Sequence, residues 1–103
     1  MSSSPEIKKL FLHRLKEAVI EACNVKNISP EDIKDLEPVV GGRDKLQLDS
    51  LDALEVIMMI EQRFGIRLSG DENSRALFES FDKMTNYILE KAEKDKIDAF
   101  IKN

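Results

Sequence analysis

From Ile7 to Ala22 the apolar residues Ile7, Leu10, Phe11, Leu15, Ala18, Val19 and Ala22 recur at steps of three and four. Only an α-helix gathers that spacing onto one face, so an amphipathic helix with a buried stripe is expected to about residue 24. A second stretch, from Asp49 to Phe64, repeats the period in Ala53, Val56, Ile57, Ile60 and Phe64. Breakers are few: four glycines and three prolines in 103 residues. A many-stranded sandwich would need more turns and more β-branched residues, so the chain is confined to helices packed on helices.

Helix punctuation supports this layout. Ser4-Pro5-Glu6 reads as an N-cap followed by proline at the first helical position, where its missing N–H costs nothing. Ser29-Pro30-Glu31-Asp32 repeats the signal and predicts a short turn or helical stub. Residues 35–48 form a loop broken by Pro38 and Gly41-Gly42, and Leu36, Val39, Val40, Leu46 and Leu48 are expected to pin it to the core. The second long helix starts near Asp49-Ser50 and stops at Phe64-Gly65. Ile66 and Leu68 anchor a connection through Ser69-Gly70-Asp71, and a short helical piece is expected around residues 73–78. Ser80 caps a last helix whose apolar set is Phe81, Met84, Tyr87 and Ile88, with Ala92 at its edge. The tail, KAEKDKIDAFIKN, either prolongs that helix or frays. The expected fold is therefore all-α: a four-helix bundle of three longer helices and one short one, in a single domain with its core over residues 5–90.

Composition excludes several functions. A net charge of −4 leaves no broad basic face for phosphates, which disfavours nucleic acid as a partner. The lone Cys23 cannot form an internal disulfide, fits a reducing compartment, and reads as a small core-edge residue. MSSSPEIKK lacks the apolar stretch of a signal peptide, and no run approaches membrane-spanning length. A cytoplasmic monomer without membrane insertion is expected. His13 falls off the apolar stripe with no second histidine to join it as a ligand, and is expected on the surface. Asp49, Asp52 and Glu55 have helical spacing rather than the alternating, glycine-turned pattern of a calcium loop.

The helix after Asp49 has two apolar faces. Advancing about 100° per residue puts Leu51 and Met58, with Glu55 and Gln62, opposite the core seam, and Leu54 between the two sectors. These are either scattered surface residues or a docking strip, in which methionine adapts to partners and Asp52 and Glu55 steer them. Ser50 has three readings. It is a helix-start residue beside the cap Asp49, a nucleophile, or an acceptor of covalent modification. The nucleophile reading lacks a strand-turn elbow, a nearby histidine and an oxyanion-hole motif. Modification by a phosphate-bearing group suits a helix start, where free N–H groups and the dipole favour negative charge, but Asp49 and Asp52 work against that preference and need another purpose, such as recognition by the modifying enzyme.

Asp49-Ser50-Leu51, preceded by Leu46 and followed by DALEVIMMIEQRFGIRL, resembles the acyl carrier protein family. The tripeptide alone is a weak signal. What strengthens it is the order around it: a leading amphipathic helix, a long loop, a helix ending in E-x-x-F-x-I-x-L, a short segment, and a closing helix with Asn86-Tyr87-Ile88. The similarity spans about residues 5–90. It implies a non-enzymatic carrier with 4′-phosphopantetheine attached to Ser50 by a phosphopantetheinyl transferase, its thiol holding acyl groups as thioesters. It also implies that Asp49, Leu51, Asp52, Leu54, Glu55 and Met58 meet acyl-transferring or condensing enzymes. Acyl chains would tuck into the interior among Phe64, Ile66, Leu68, Phe81 and Met84.

Two positions depart from the family pattern. Gln47 stands where a glycine commonly precedes the serine by three, and the helix ends in Glu61-Gln62-Arg63, with Arg67 beyond, instead of a strongly acidic run. The first implies a different approach loop, and the weaker charge sets a dedicated lipid or secondary-metabolite pathway beside primary fatty-acid synthesis. A helical interaction module that keeps the carrier fold without the arm is the alternative reading.

Overall fold

The computed structural model describes residues 5–41, 48–68 and 74–102. The expected cap Ser4, the loop residues Gly42, Leu46 and Gln47, and the Ser69-Gly70-Asp71 connection lie outside them. Every regular element among the described residues is helical. They are α1 (Pro5–Ala22), a 3-10 turn (Pro30–Asp32), α2 (Ser50–Phe64), α3 (Ser74–Leu77), α4 (Phe81–Lys91) and α5 (Lys94–Lys102). The first four α-helices make the expected bundle of three longer helices and one short one.

Helix α1 is the central element and packs against α2, α4, α5 and the 3-10 turn. Its stripe buries Phe11, Leu15 and Val19 as the period requires. Leu10, expected in that stripe, is instead 55% exposed, and Leu12 and Lys16 are buried. The shift follows from the 3-10 turn, which covers a flank of α1 and draws its buried sector toward Leu12 and Lys16. Lys16 keeps its stem under cover and donates from Nζ to Ile33 O at 2.7 Å and Asp35 Oδ1 at 2.6 Å. The helix ends where Asn24 takes a left-handed conformation (φ 55°), letting Val25 N donate back to Ile20 O at 3.0 Å.

The α1–α2 loop is held by backbone hydrogen bonds to the α3–α4 junction and the start of α4. Asp82 N donates to Asp35 O (2.8 Å), Phe81 N to Glu37 O (3.3 Å) and Val39 N to Phe78 O (3.0 Å). Val39 and Leu48 are buried and Val40 is half-buried, as expected. Leu36 is not a core pin: it is 77% exposed. The hydrogen bonds at Asp35 and Glu37 fix the backbone on both sides of it, and the Leu36 side chain is left outward.

Helix α2 stops at Gly65, whose φ of 68° only glycine adopts without strain, and whose N–H donates to Glu61 O at 2.9 Å. A Cβ at Gly65 would also come within 2.6 Å of Lys96 Nζ. Ser80 caps α4, accepting from Lys83 N at 3.0 Å, and Phe81, Met84 and Ile88 are buried with Tyr87 half-buried. The tail neither prolongs α4 nor frays. Ala92 turns extended (φ −80°, ψ 152°), and α5 folds back with Ile97 and Phe100 buried. It lies against α1 and α2.

Candidate attachment and docking site at the start of α2

Asp49 builds the end of α2. With extended dihedrals (φ −107°, ψ −170°), its Oδ1 accepts from Leu51 N at 3.0 Å and Asp52 N at 3.1 Å. Asp52 Oδ2 returns the bond, accepting from Asp49 N at 3.0 Å. This reciprocal pair satisfies N–H groups that no turn of helix precedes. Ser50 sits between the two as the first residue of α2, and it is exposed. The two carboxylates therefore have a structural task, and the residue between them is exposed.

The outer face of α2 carries the strip expected from the period. Leu51 is 73%, Leu54 57% and Met58 52% exposed, with Glu55 exposed and Asp52 half-buried alongside. The opposite face buries Val56, Ile60 and Phe64. Arg63, at the helix's far end, has its guanidinium 5.5 Å from the centre of the Phe100 ring. The weaker acidity of that end has a local cause, because Arg63 packs on Phe100 of α5.

On the other side of Ser50 an open cleft of about 640 Å³ is lined by Pro38, Val40, Ser50, Ala53, Ile57, Phe78 and Glu79. Phe64, Leu68, Phe81 and Met84, expected around any interior space, are instead fully packed core, and Ile66 is half-buried. Ala53 and Ile57 carried a signal, since they lie at the edge of the α2 core seam. Pro38, Val40, Phe78 and Glu79 come from the pinned loop and the α3–α4 junction, and no spacing rule links them to Ser50.

Cys23, at the end of α1, donates from Sγ to Asp52 O at 3.7 Å. Its thiol is pushed up to about 11, first by burial and then by the charges of Asp52, Glu55 and Asp49. The same acidic cluster that flanks Ser50 is thus felt across the α1–α2 contact. His13 is exposed on α1, 3.7 Å from Glu17 Oε2.

Residues 13–72 match the family described as the phosphopantetheine attachment site. The chain belongs to the acyl carrier protein family. Among similar proteins, acyl carrier protein 2, mitochondrial, of Arabidopsis thaliana is 29% identical over 85 residues, covering 82% of this chain and 66% of the relative. The acyl carrier protein of Wolinella succinogenes is 36% identical over 58 residues, covering 56% of this chain and 68% of its own. That of Sulfurovum sp. is also 36% identical over 58 residues, with 56% and 69% covered. The chain thus spans about two thirds of the length of these relatives. No solved structure matches it. Membership of this acyl carrier family brings a covalently held 4′-phosphopantetheine and a carrying rather than catalytic role. No helix among the described residues is long and apolar enough to cross a membrane. One relative is named mitochondrial, so the similarity does not single out the cytoplasm.

Proposed function

We propose that this acyl carrier holds acyl intermediates as thioesters on 4′-phosphopantetheine attached to Ser50, for fatty-acid or specialised lipid or polyketide synthesis. The observation that carries the reading is the position of Ser50, solvent-exposed on the first turn of a capped helix within the matched segment. The helix dipole favours the phosphodiester's negative charge, opposed by the carboxylates of Asp49 and Asp52, which already take the N–H groups of Leu51, Asp52 and Asp49. A transferase would form one bond from the Ser50 oxygen to the phosphorus of coenzyme A's pantetheine phosphate while the anhydride bond to the nucleotide half breaks. The arm, once attached, supplies a thiol that forms thioesters. The chain's own residues position the attachment point and present it to enzymes.

Asp49, Leu51, Asp52, Leu54, Glu55 and Met58 form the surface where the transferase and the acyl-transferring or condensing enzymes land. Exposed leucines and a methionine beside carboxylates suit a partner patch that is apolar at its centre and basic at its rim. The cleft on the other side of Ser50, floored by Ala53, Ile57 and Phe78, is apolar enough to receive the start of an acyl chain.

The test is incubation with coenzyme A, magnesium and a promiscuous phosphopantetheinyl transferase, followed by intact mass measurement. The wild-type protein gains one phosphopantetheine, and Ser50→Ala gains none. An unmodified wild-type protein, where a control carrier is fully converted, overturns the reading.

A further inference from the structure

Among the described residues the most open large apolar side chain is not on α2. It is Leu36, 77% exposed, against 73% for Leu51. Leu36 is the third residue of a four-residue turn, 34–37, closed by Glu37 N donating to Lys34 O at 3.1 Å and Lys34 N donating to Glu37 Oε1 at 3.4 Å. The turn is fixed to the bundle from two sides. Asp82 N and Phe81 N at the start of α4 donate to Asp35 O and Glu37 O, and the buried Lys16 of α1 donates to Ile33 O and Asp35 Oδ1. The Glu37 side chain is buried as well. A lone exposed leucine is ordinary; one mounted on a turn held this firmly is not, since turn geometry favours glycine, asparagine, aspartate or serine instead.

The turn adjoins the cleft at Ser50. Pro38, two residues after Leu36, lines that cleft with Val40, Ser50, Phe78 and Glu79. Two trans peptide steps keep the Leu36 and Pro38 Cα atoms within about 7 Å of each other. Leu36 thus stands on the loop side of the cleft, and the strip of Leu51, Leu54 and Met58 on the α2 side. The two sides differ in charge. Near Leu36, Asp35 is paired with Lys16 (2.6 Å), Asp82 with Lys8 (2.8 Å) and Glu79 with Lys83. Asp49, Asp52 and Glu55 on α2 have no basic partner among the described residues.

We propose that Leu36 is an uncharged anchor for the phosphopantetheinyl transferase, which straddles Ser50 with one contact on α2 and a second on this turn. The transferase face is basic where it meets α2 and offers an apolar recess to Leu36. The unpaired carboxylates draw the enzyme in, and the leucine slows its departure. A turn already held in place loses little freedom on binding, so burial of its side chain goes into affinity. This rests on the carrier reading above and adds the second half of the surface that presents Ser50.

The experiment measures transfer from coenzyme A, by a promiscuous phosphopantetheinyl transferase, to full-length wild type, Leu36→Ala and Leu36→Met at low and high salt. Leu36→Ala is expected to raise KM roughly tenfold, the worth of the apolar carbons removed, with kcat unchanged. The rise is the same at both salt concentrations, because no charge has been lost. Leu36→Met restores an apolar side chain of similar volume and returns KM toward the wild-type value. The urea midpoint of Leu36→Ala stays at that of wild type, because an exposed side chain supports little of the fold. A KM for Leu36→Ala equal to wild type overturns the proposal, as does a rise that disappears at high salt or one that Leu36→Met does not reverse. A lowered urea midpoint assigns Leu36 to the fold and overturns it too. Failure of the wild type to gain any arm mass removes the carrier reading and this inference together. Normal loading that is indifferent to Leu36 removes the inference alone.

Discussion

Asp49 and Asp52 hold each other's backbone: Asp49 Oδ1 accepts from Asp52 N at 3.1 Å while Asp52 Oδ2 accepts from Asp49 N at 3.0 Å. Ser50 lies between them, so the pair that starts α2 also sets the direction of the proposed attachment residue. Cap and charge can be separated by substitution. Asp49→Ala is expected to lower stability by about 1 kcal/mol in urea unfolding, the usual cost of a lost N-cap. Asp49→Asn keeps an oxygen that caps, so its stability stays within a few tenths of a kcal/mol of wild type. Its KM for a transferase rises all the same, and that rise is smaller at high salt. Equal KM values for Asp49→Asn and wild type at low salt would remove Asp49's charge from docking.

Lys16 ties α1 to the loop that lines the Ser50 cleft. Truncation to alanine removes a buried stem and leaves Ile33 O without its donor, an expected loss of about 2–4 kcal/mol. Lys16→Met restores most of the stem and should recover about half of that loss. Urea unfolding of the two variants checks the order. Equal stability of Lys16→Ala and wild type would show that the loop holds without this tie.

Cys23 predicts an alkaline weakness. Its thiol titrates near 11 in the folded chain against an ordinary 9.0, so between those values the folded chain retains a proton that the unfolded chain has released. Stability present below about pH 9 is therefore lost as pH rises toward about 11. Cys23→Ala should flatten that part of the stability–pH curve. Thiolate absorbance against pH should show the titration moving down in Asp52→Asn and Glu55→Gln, but only part of the way, because burial is the larger cause.

Thr85 is fully buried on α4 and its Oγ1 has no hydrogen-bond partner among the described residues. Valine matches its shape and removes the unsatisfied hydroxyl. Thr85→Val is expected to raise stability by about 1 kcal/mol, read as a higher urea midpoint with an unchanged slope. A lower midpoint would mean that the hydroxyl is satisfied in solution.

The departures from expectation share a pattern. Spacing and hydrophobicity place Leu10 and Leu36 in the core, yet both are exposed, while Lys16 is buried. Periodicity identifies an apolar face but not its edges, and the edges are set by what lies against them. On α1 that is the 3-10 turn, reached by a connection whose course spacing does not describe. The α5 tail, with its few apolar residues, carried a periodicity too short to distinguish an independent helix from a frayed end. It became a helix because Ile97 and Phe100 found α1 and α2 to cover.

The amino-acid sequence by itself determined where α1, α2 and α4 run, that α2 opens on Asp49 and Ser50, and that Leu51 and Met58 face away from the core. Those are outcomes of hydrogen bonds and side-chain contacts among residues three or four apart, so the local order of residues is enough to set them. Only the tertiary structure decided that Pro38, Val40, Phe78 and Glu79 would meet Ser50 at one cleft, and that Phe100 would close on Phe11 and Phe64. Such contacts join distant parts of the chain, and which ones form depends on how all the helices fill the same space at once.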